Sequence, residues 1–152
     1  MFSFKMLLCA AALTLLAAVV ESSSSSGGTP NYNYDLSGSD LTSLFNSPVF
    51  EAERVKRPLD GTTTELGPLS HSGVRVTLAD DSQWLIHLGK NYGISSDTVV
   101  TSARHMSPNW RVVDTVDFNG RKTVSDLVAA GGSDYNFFTN NCHLGSRRIM
   151  RQ

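Results

Sequence analysis

Alternating apolar and polar positions predict a group of short strands in the second half of the chain. Residues 73–79 alternate throughout, and residues 83–88 resume the alternation after a polar turn at 80–82. A turn this short between two such runs is typical of a β-hairpin. Two further short strands are predicted at 98–101 and 110–118, so we expect a small antiparallel sheet.

Two helices are predicted after the strands. The first covers 123–130, with Thr123 as its N-cap and Asp126 in the position of a capping-box acid. The glycines at 131–132 end it, and a second, short amphipathic helix carries Cys142 in its first turn. Because strands come first and helices after, the sequence indicates an α+β fold with the helices on one face of the sheet.

The N-terminus has the pattern of a targeting segment. Lys5 precedes an apolar run at 6–20, and serines follow that run. The run is shorter than the ~20 residues of a membrane-spanning helix and matches the apolar region of a secretory signal peptide. Residues 1–22 are therefore predicted to be a signal peptide, and the mature protein to be secreted, extracellular and without an integral membrane span.

Residues 23–57 are predicted to be a Ser/Gly-rich linker or pro-segment, because the serines and glycines that open it bury little apolar surface. One helical turn is expected at 41–45. The sequence RVKR at 54–57 resembles the cleavage site of furin-type proprotein convertases, but Pro58 hinders cleavage there. We interpret it as a solvated basic stretch before a folded domain at 58–152.

Charge and aromatic content exclude some partners. From residue 58 onward there are nine acidic and nine basic residues, and no basic cluster indicates a nucleic acid or an anionic membrane surface. No nucleic-acid partner is therefore expected. The sequence also leads us to expect no cofactor and no metal site. Trp84 and Trp110 are interpreted as core residues rather than as a platform for a ligand.

Cys142 is predicted to be the sole cysteine of the mature protein, because Cys9 lies within the signal peptide. Asn140 or Asn141 can cap the helix that follows, and the N–H groups of a helix N-terminus favour a thiolate. A single cysteine in a secreted protein is a reactive thiol, half of an intermolecular disulfide or an inert buried side chain.

Histidines are available as a base for this thiol. The predicted hairpin brings His71 and His87 side by side, where one could accept the proton of Cys142 and the other could orient the first. His143 is a poor base, because neighbouring side chains on a helix point about 100° apart. His105 is interpreted as a loop residue, although it remains an alternative to His87 as the third group.

The same segments carry a family resemblance. Residues 71–76 (HSGVRV) and 84–89 (WLIHLG) resemble the paired-histidine hairpin of lecithin retinol acyltransferase-like proteins. Residues 135–142 (YNFFTNNC) resemble the nucleophile segment of that family and of PPPDE domains. Both belong to the circularly permuted branch of the papain-like, NlpC-type superfamily, in which the histidine precedes the cysteine. The resemblance covers roughly residues 69–150.

The resemblance implies a circularly permuted papain-like fold with Cys142 as nucleophile, His71 as base and His87 as the third polar residue. The residues after the cysteine are His-Leu-Gly at 143–145, where the acyltransferases have Glu-His-Phe. The predicted function is therefore a secreted thiol hydrolase or acyltransferase-like protein that acts on an amide, ester or thioester through an acyl-thioester. The alternative is a secreted binding or defence protein that uses the same fold without turnover.

Overall fold

The computed structural model describes most of the predicted domain and the segment just before it. The described residues are 36, 38–59, 61–65, 67, 70–88, 98–133, 136 and 139–152. The predicted signal peptide lies outside these residues, as do Tyr135, Phe137 and Phe138 of the predicted nucleophile segment. Within the described ranges, no helix is both long enough and apolar enough to cross a membrane.

Helices and strands form an α+β structure, as the sequence predicts. The elements in chain order are α1 (Gly38–Asn46), β1 (Pro48–Pro58), β2 (Ser70–Leu78), β3 (Gln83–Leu88), β4 (Thr98–Ser102), a 3₁₀ turn (Ala103–His105), β5 (Arg111–Thr123), α2 (Val124–Gly131) and α3 (Cys142–Met150). The five-stranded sheet has the order β4-β3-β2-β1-β5, and each neighbouring pair is antiparallel.

The hydrophobic core lies between one face of this sheet and the helices. Apolar side chains of β1 to β5 form a single buried cluster with side chains of all three helices, including Leu44, Leu127 and Ile149. Trp84 packs against this cluster from β3, as predicted. Non-directional burial of apolar surface therefore fixes the helices on this face and leaves the other face of the sheet for different contacts.

The predicted hairpin is confirmed as β2 and β3. Its two strands pair from Thr77 with Gln83 to Val74 with Ile86. The side chain of Asp80 accepts a hydrogen bond from the backbone N–H of Ser82 at 3.0 Å, which stabilises the turn. The period-2 pattern identified both strands because one face of each is buried in the core.

β1 corrects the predicted domain boundary. The sequence assigned residues 48–57 to the segment before the domain, but Pro48–Pro58 form the strand between β2 and β5. A bulge at Val49/Glu51 shifts the register, so buried positions fall at irregular spacing and hide the strand pattern. The basic stretch at 54–57 is thus within the sheet, and Arg57 is only 8% exposed.

β5 is longer than predicted. The sequence placed its end at residue 118, yet the strand continues through Asn119 and Gly120 to Thr123. Both residues have positive φ, at 53° and 75°, and the register against β1 shifts at this point. The Asn-Gly pair therefore makes a bulge within the strand rather than a turn at its end.

The start of α2 confirms the predicted capping box. The Thr123 hydroxyl accepts from the backbone N–H of Asp126 at 3.2 Å, and the Thr123 N–H donates to the Asp126 carboxylate at 2.8 Å. This exchange satisfies two N–H groups that the helix itself leaves without acceptors. It holds α2 directly against the end of β5.

Candidate functional site

The N-terminus of α3 positions the candidate nucleophile. Asn141 is the N-cap, and its side-chain oxygen accepts from the backbone N–H groups of His143 and Leu144, each at 3.1 Å. Of the two asparagines that could have capped this helix, Asn140 instead accepts a hydrogen bond from Arg148 at 2.7 Å. Cys142 is thus the first residue of α3, as predicted.

Burial decides the protonation of this thiol. Cys142 is 6% exposed, and its Sγ lies 3.9 Å from the carbonyl oxygen of Ser70 on β2. Burial raises the pKa of the Cys142 thiol, although the N–H groups of Ser72 and His143 and the charge of Arg54 act in the opposite direction. The expectation that the helix N-terminus favours a thiolate is therefore wrong here, because desolvation outweighs it.

His71 and His87 meet as the hairpin predicts. Nε2 of His71 lies 3.2 Å from Nδ1 of His87, and the two rings are almost perpendicular, at 87°. His87 is buried in β3. Burial, followed by the nearby charges of His71 and Arg57, holds the pKa of His87 well below its usual value. His87 is consequently neutral at neutral pH.

Two residues that the sequence did not assign to the site contact this pair. The indole ring of Trp110 lies 5.4 Å from the His71 ring, and the guanidinium of Arg57 lies 5.4 Å over the indole. Both distances are within the range of ring stacking and cation–π attraction. Arg57 is the residue of β1 that pairs with His71 of β2. The sequence analysis missed this neighbour of the site because it left β1 outside the domain.

A polar network ties α3 to the sheet near Cys142. Ser146 lies one turn after Cys142, and its hydroxyl is 2.9 Å from that of Ser72 on β2. The Arg54 guanidinium on β1 donates to the same Ser146 hydroxyl at 3.1 Å. These contacts fix the N-terminal turn of α3 against the first residues of β2.

The candidate residues therefore converge on one end of β2, from two sides of that strand. Successive side chains of a strand point to opposite faces. Ser72 points to α3, whereas the neighbouring His71 points to His87. Cys142 reaches β2 from the α3 side, and its thiol donates to the backbone of Ser70.

The alternative third residue lies elsewhere. His105 belongs to the 3₁₀ turn after β4, and its ring accepts a hydrogen bond from Arg104 at 2.9 Å. His87 is a hydrogen-bond partner of His71 and so matches the orienting role better. Among the residues that the structure describes, no group of three or more His, Cys, Asp or Glu side chains could hold a metal ion.

Comparisons with known proteins return no relative. The chain matches no protein-family model, no curated protein and no solved structure. The resemblance of the hairpin and of the Asn-Asn-Cys segment to permuted papain-like enzymes thus stays a prediction from the sequence.

Arg54 offers a test of the electrostatics at the thiol. We expect Arg54→Gln to raise the pKa of Cys142 further, because the lost positive charge no longer favours the thiolate. Alkylation by iodoacetamide, followed from pH 6 to 10, should then move to higher pH. Arg54→Lys keeps the charge but not the guanidinium bond to Ser146, and should remain close to wild type. If wild type and Arg54→Gln show the same pH dependence of alkylation, the charge of Arg54 does not influence the pKa of Cys142.

Proposed function

We propose that the chain is a secreted thiol hydrolase or acyltransferase-like protein of permuted papain-like fold. In this proposal Cys142 is the nucleophile, His71 is the base and His87 orients His71. The substrate is an amide, an ester or a thioester. The hydrogen bond between the two histidine rings, at one end of β2 together with the thiol, is the observation that supports this function best.

The neutral state of His87 allows that hydrogen bond to run from His71 to His87. A neutral imidazole can accept through a ring nitrogen, whereas an imidazolium can only donate. If Nε2–H of His71 donates to Nδ1 of His87, Nδ1 of His71 keeps its lone pair. That nitrogen is then able to accept a proton from a thiol. The burial that lowers the pKa of His87 keeps this acceptor available, and in this proposal the tautomer with Nε2–H on His71 is the one that makes His71 a base.

The reaction begins with a proton transfer. In the resting state the Cys142 thiol donates to the carbonyl oxygen of Ser70 on the α3 side of β2, whereas the His71 ring lies on the other face of that strand. The proposal therefore requires the first turn of α3 or the end of β2 to move when substrate binds, so that the thiol and His71 meet. Nδ1 of His71 takes the thiol proton, and the thiolate adds to the carbonyl carbon of the substrate. We assign the N–H of Cys142, at the positive end of α3, to the oxyanion that forms.

The tetrahedral intermediate then collapses to an acyl-thioester. The bond from the carbonyl carbon to the leaving nitrogen, oxygen or sulfur breaks, and the His71 imidazolium gives its proton to the leaving group. Water, or the hydroxyl or amine of an acceptor, attacks the thioester while His71 takes up its proton. The carbon–sulfur bond breaks, and the thiolate recovers a proton from His71.

A second candidate function is a secreted binding or defence protein without turnover. The observation that favours it is the burial of Cys142, which leaves 6% of the residue exposed and raises the pKa of the thiol. Buried cysteines with such a pKa are commonly inert. The two functions differ in whether the folded protein forms a covalent adduct.

Intact-mass spectrometry after incubation with acyl donors separates the two functions. The donors are an activated acetyl ester, an acetyl thioester and a blocked peptide amide. We expect one acyl adduct on wild type and none on Cys142→Ala. His71→Asn should form the adduct about 100-fold more slowly, because it lacks the base. His105→Asn is the matched control and should react like wild type.

One outcome would contradict the enzymatic proposal. A thiol that is acylated or alkylated only after denaturation, at equal rates in wild type and His71→Asn, is an inert buried cysteine. That result would favour the binding protein.

A further inference from the structure

A polar cleft lies between the end of β1, the segment at 62–65 and the start of β5. It has a volume of about 480 Å³ and is lined by Pro58, the threonines at 62–64, Glu65, Asn109 and Arg111. This volume is within the range of binding sites for small molecules and short peptide segments. The cleft is adjacent in the chain to Arg57 and Trp110, the two residues that contact each other next to His71.

The carboxylate of Glu65 is only half satisfied. Its Oε2 accepts hydrogen bonds from Nε and Nη2 of Arg111, the first at 3.0 Å. Its Oε1 is buried, and the structure gives it no hydrogen-bond partner. Buried carboxylate oxygens almost always have a donor. Because Glu65 lines the cleft, a ligand toward which the carboxylate turns can supply the missing donor.

Arg111 provides the complementary group. Its side chain is 60% exposed, compared with 14% for Glu65, and two of its nitrogens are occupied by that carboxylate. The remaining guanidinium N–H groups can donate to a ligand. The cleft thus presents an acceptor and a donor next to each other, which is the complement of the C=O and N–H groups of an amide.

Charge excludes other ligands of the same size. The charge of Glu65 is already compensated by Arg111, and the nearby Arg57 would repel a second cation. A cationic ligand is therefore disfavoured. A free carboxylate is disfavoured too, because it offers no donor to Oε1 of Glu65.

We propose that this cleft binds an extended peptide segment, with Glu65 and Arg111 recognising one amide group of the peptide. Arg111 begins β5, which is one of the two edge strands of the sheet, so a peptide can run alongside it. The proposal deepens the function above, since it selects peptides among the amide, ester and thioester substrates. Binding itself needs no thiol chemistry, so the two can fail independently.

The test measures binding to the Cys142→Ala variant by nuclear magnetic resonance. The probe is a tripeptide, acetyl-Ala-Gln-Ala-amide, titrated into the ¹⁵N-labelled protein. We expect the amide signals of residues 62–65, Asn109 and Arg111 to shift with a common dissociation constant. Because turnover is not measured, a loss of binding here leaves the acyl-adduct experiment to judge the catalytic proposal.

Matched changes in protein and ligand identify the recognised group. Glu65→Gln preserves the shape of the side chain. The amide oxygen of the glutamine faces Arg111, so its NH₂ group takes the place of Oε1. The cleft then offers a donor where wild type has an acceptor. We expect roughly tenfold weaker peptide binding. Ester analogues of the peptide, each with one N–H replaced by oxygen, need no protein variant. One of them should bind roughly tenfold more weakly than the peptide to the protein that retains Glu65. In the Glu65→Gln protein, the same ester analogue and the peptide should bind with equal affinity.

Three results would overturn the proposal. In the first, the peptide shifts no signals at the cleft. In the second, all ester analogues bind as well as the peptide, so that no N–H group is recognised. In the third, a methyl glycoside shifts the same signals at lower concentration, which would assign the cleft to a saccharide.

Discussion

Substitution of Gly131 by alanine is expected to destabilise the protein by about 2–3 kcal/mol, the upper part of the range for an overpacked core. Gly131 is the last residue of α2 and lies against Thr98, the first residue of β4. An added Cβ would lie 2.6 Å from Cγ2 and 2.9 Å from Cβ of Thr98, and closer still to its hydroxyl. Relief is difficult because Thr98 is held by two hydrogen bonds to the carbonyl of Gly132, at 3.1 and 2.8 Å.

Urea denaturation followed by circular dichroism measures this effect. Gly38→Ala is the matched control, because Gly38 also lies in a helix and nothing is within 4 Å of its added Cβ. That control should be neutral or slightly stabilising, in line with the higher helix propensity of alanine. Thr98→Ala should recover part of the loss in the double variant. Equal midpoints for Gly131→Ala and Gly38→Ala would show that α2 and β4 are not packed closely here.

Acidification is expected to destabilise the fold through His87. Its pKa in the folded protein is well below the ordinary value of about 6.5, because of burial and the adjacent His71 and Arg57. Between these two pKa values the unfolded state binds the proton and the folded state does not, so stability falls as pH decreases below about 6.5. Each pH unit contributes up to about 1.4 kcal/mol, so the loss at pH 5 is at most about 2 kcal/mol from this group.

His87→Asn isolates this contribution. Asparagine keeps a polar atom near the position of Nδ1 and does not titrate. We expect the variant to be less stable than wild type at pH 7.5, yet to lose less stability on going to pH 5, by at most about 2 kcal/mol. His105→Asn removes a histidine outside the pair and is the control. If wild type and His87→Asn lose equal stability between pH 7.5 and 5, His87 is not buried and neutral as the structure has it.

Local sequence patterns were reliable where short-range contacts decide the structure. The hairpin of β2 and β3, the capping box at Thr123 and the cap at Asn141 each depend on residues within a few positions of one another. β1 was missed because its bulge breaks the alternation, and β5 was cut short because Asn-Gly also ends strands. In both cases a neighbouring strand, not the local sequence, determines the conformation.

The sequence by itself determined that His71 and His87 lie side by side, because a tight turn brings two alternating strands into one register. Only the tertiary structure decided the state of Cys142, which is 72 residues from its contact at Ser70. It also decided that Arg57 and Trp110 lie near the histidines. Desolvation and charge proximity depend on which distant segments pack together, and these terms set the pKa of Cys142 and of His87.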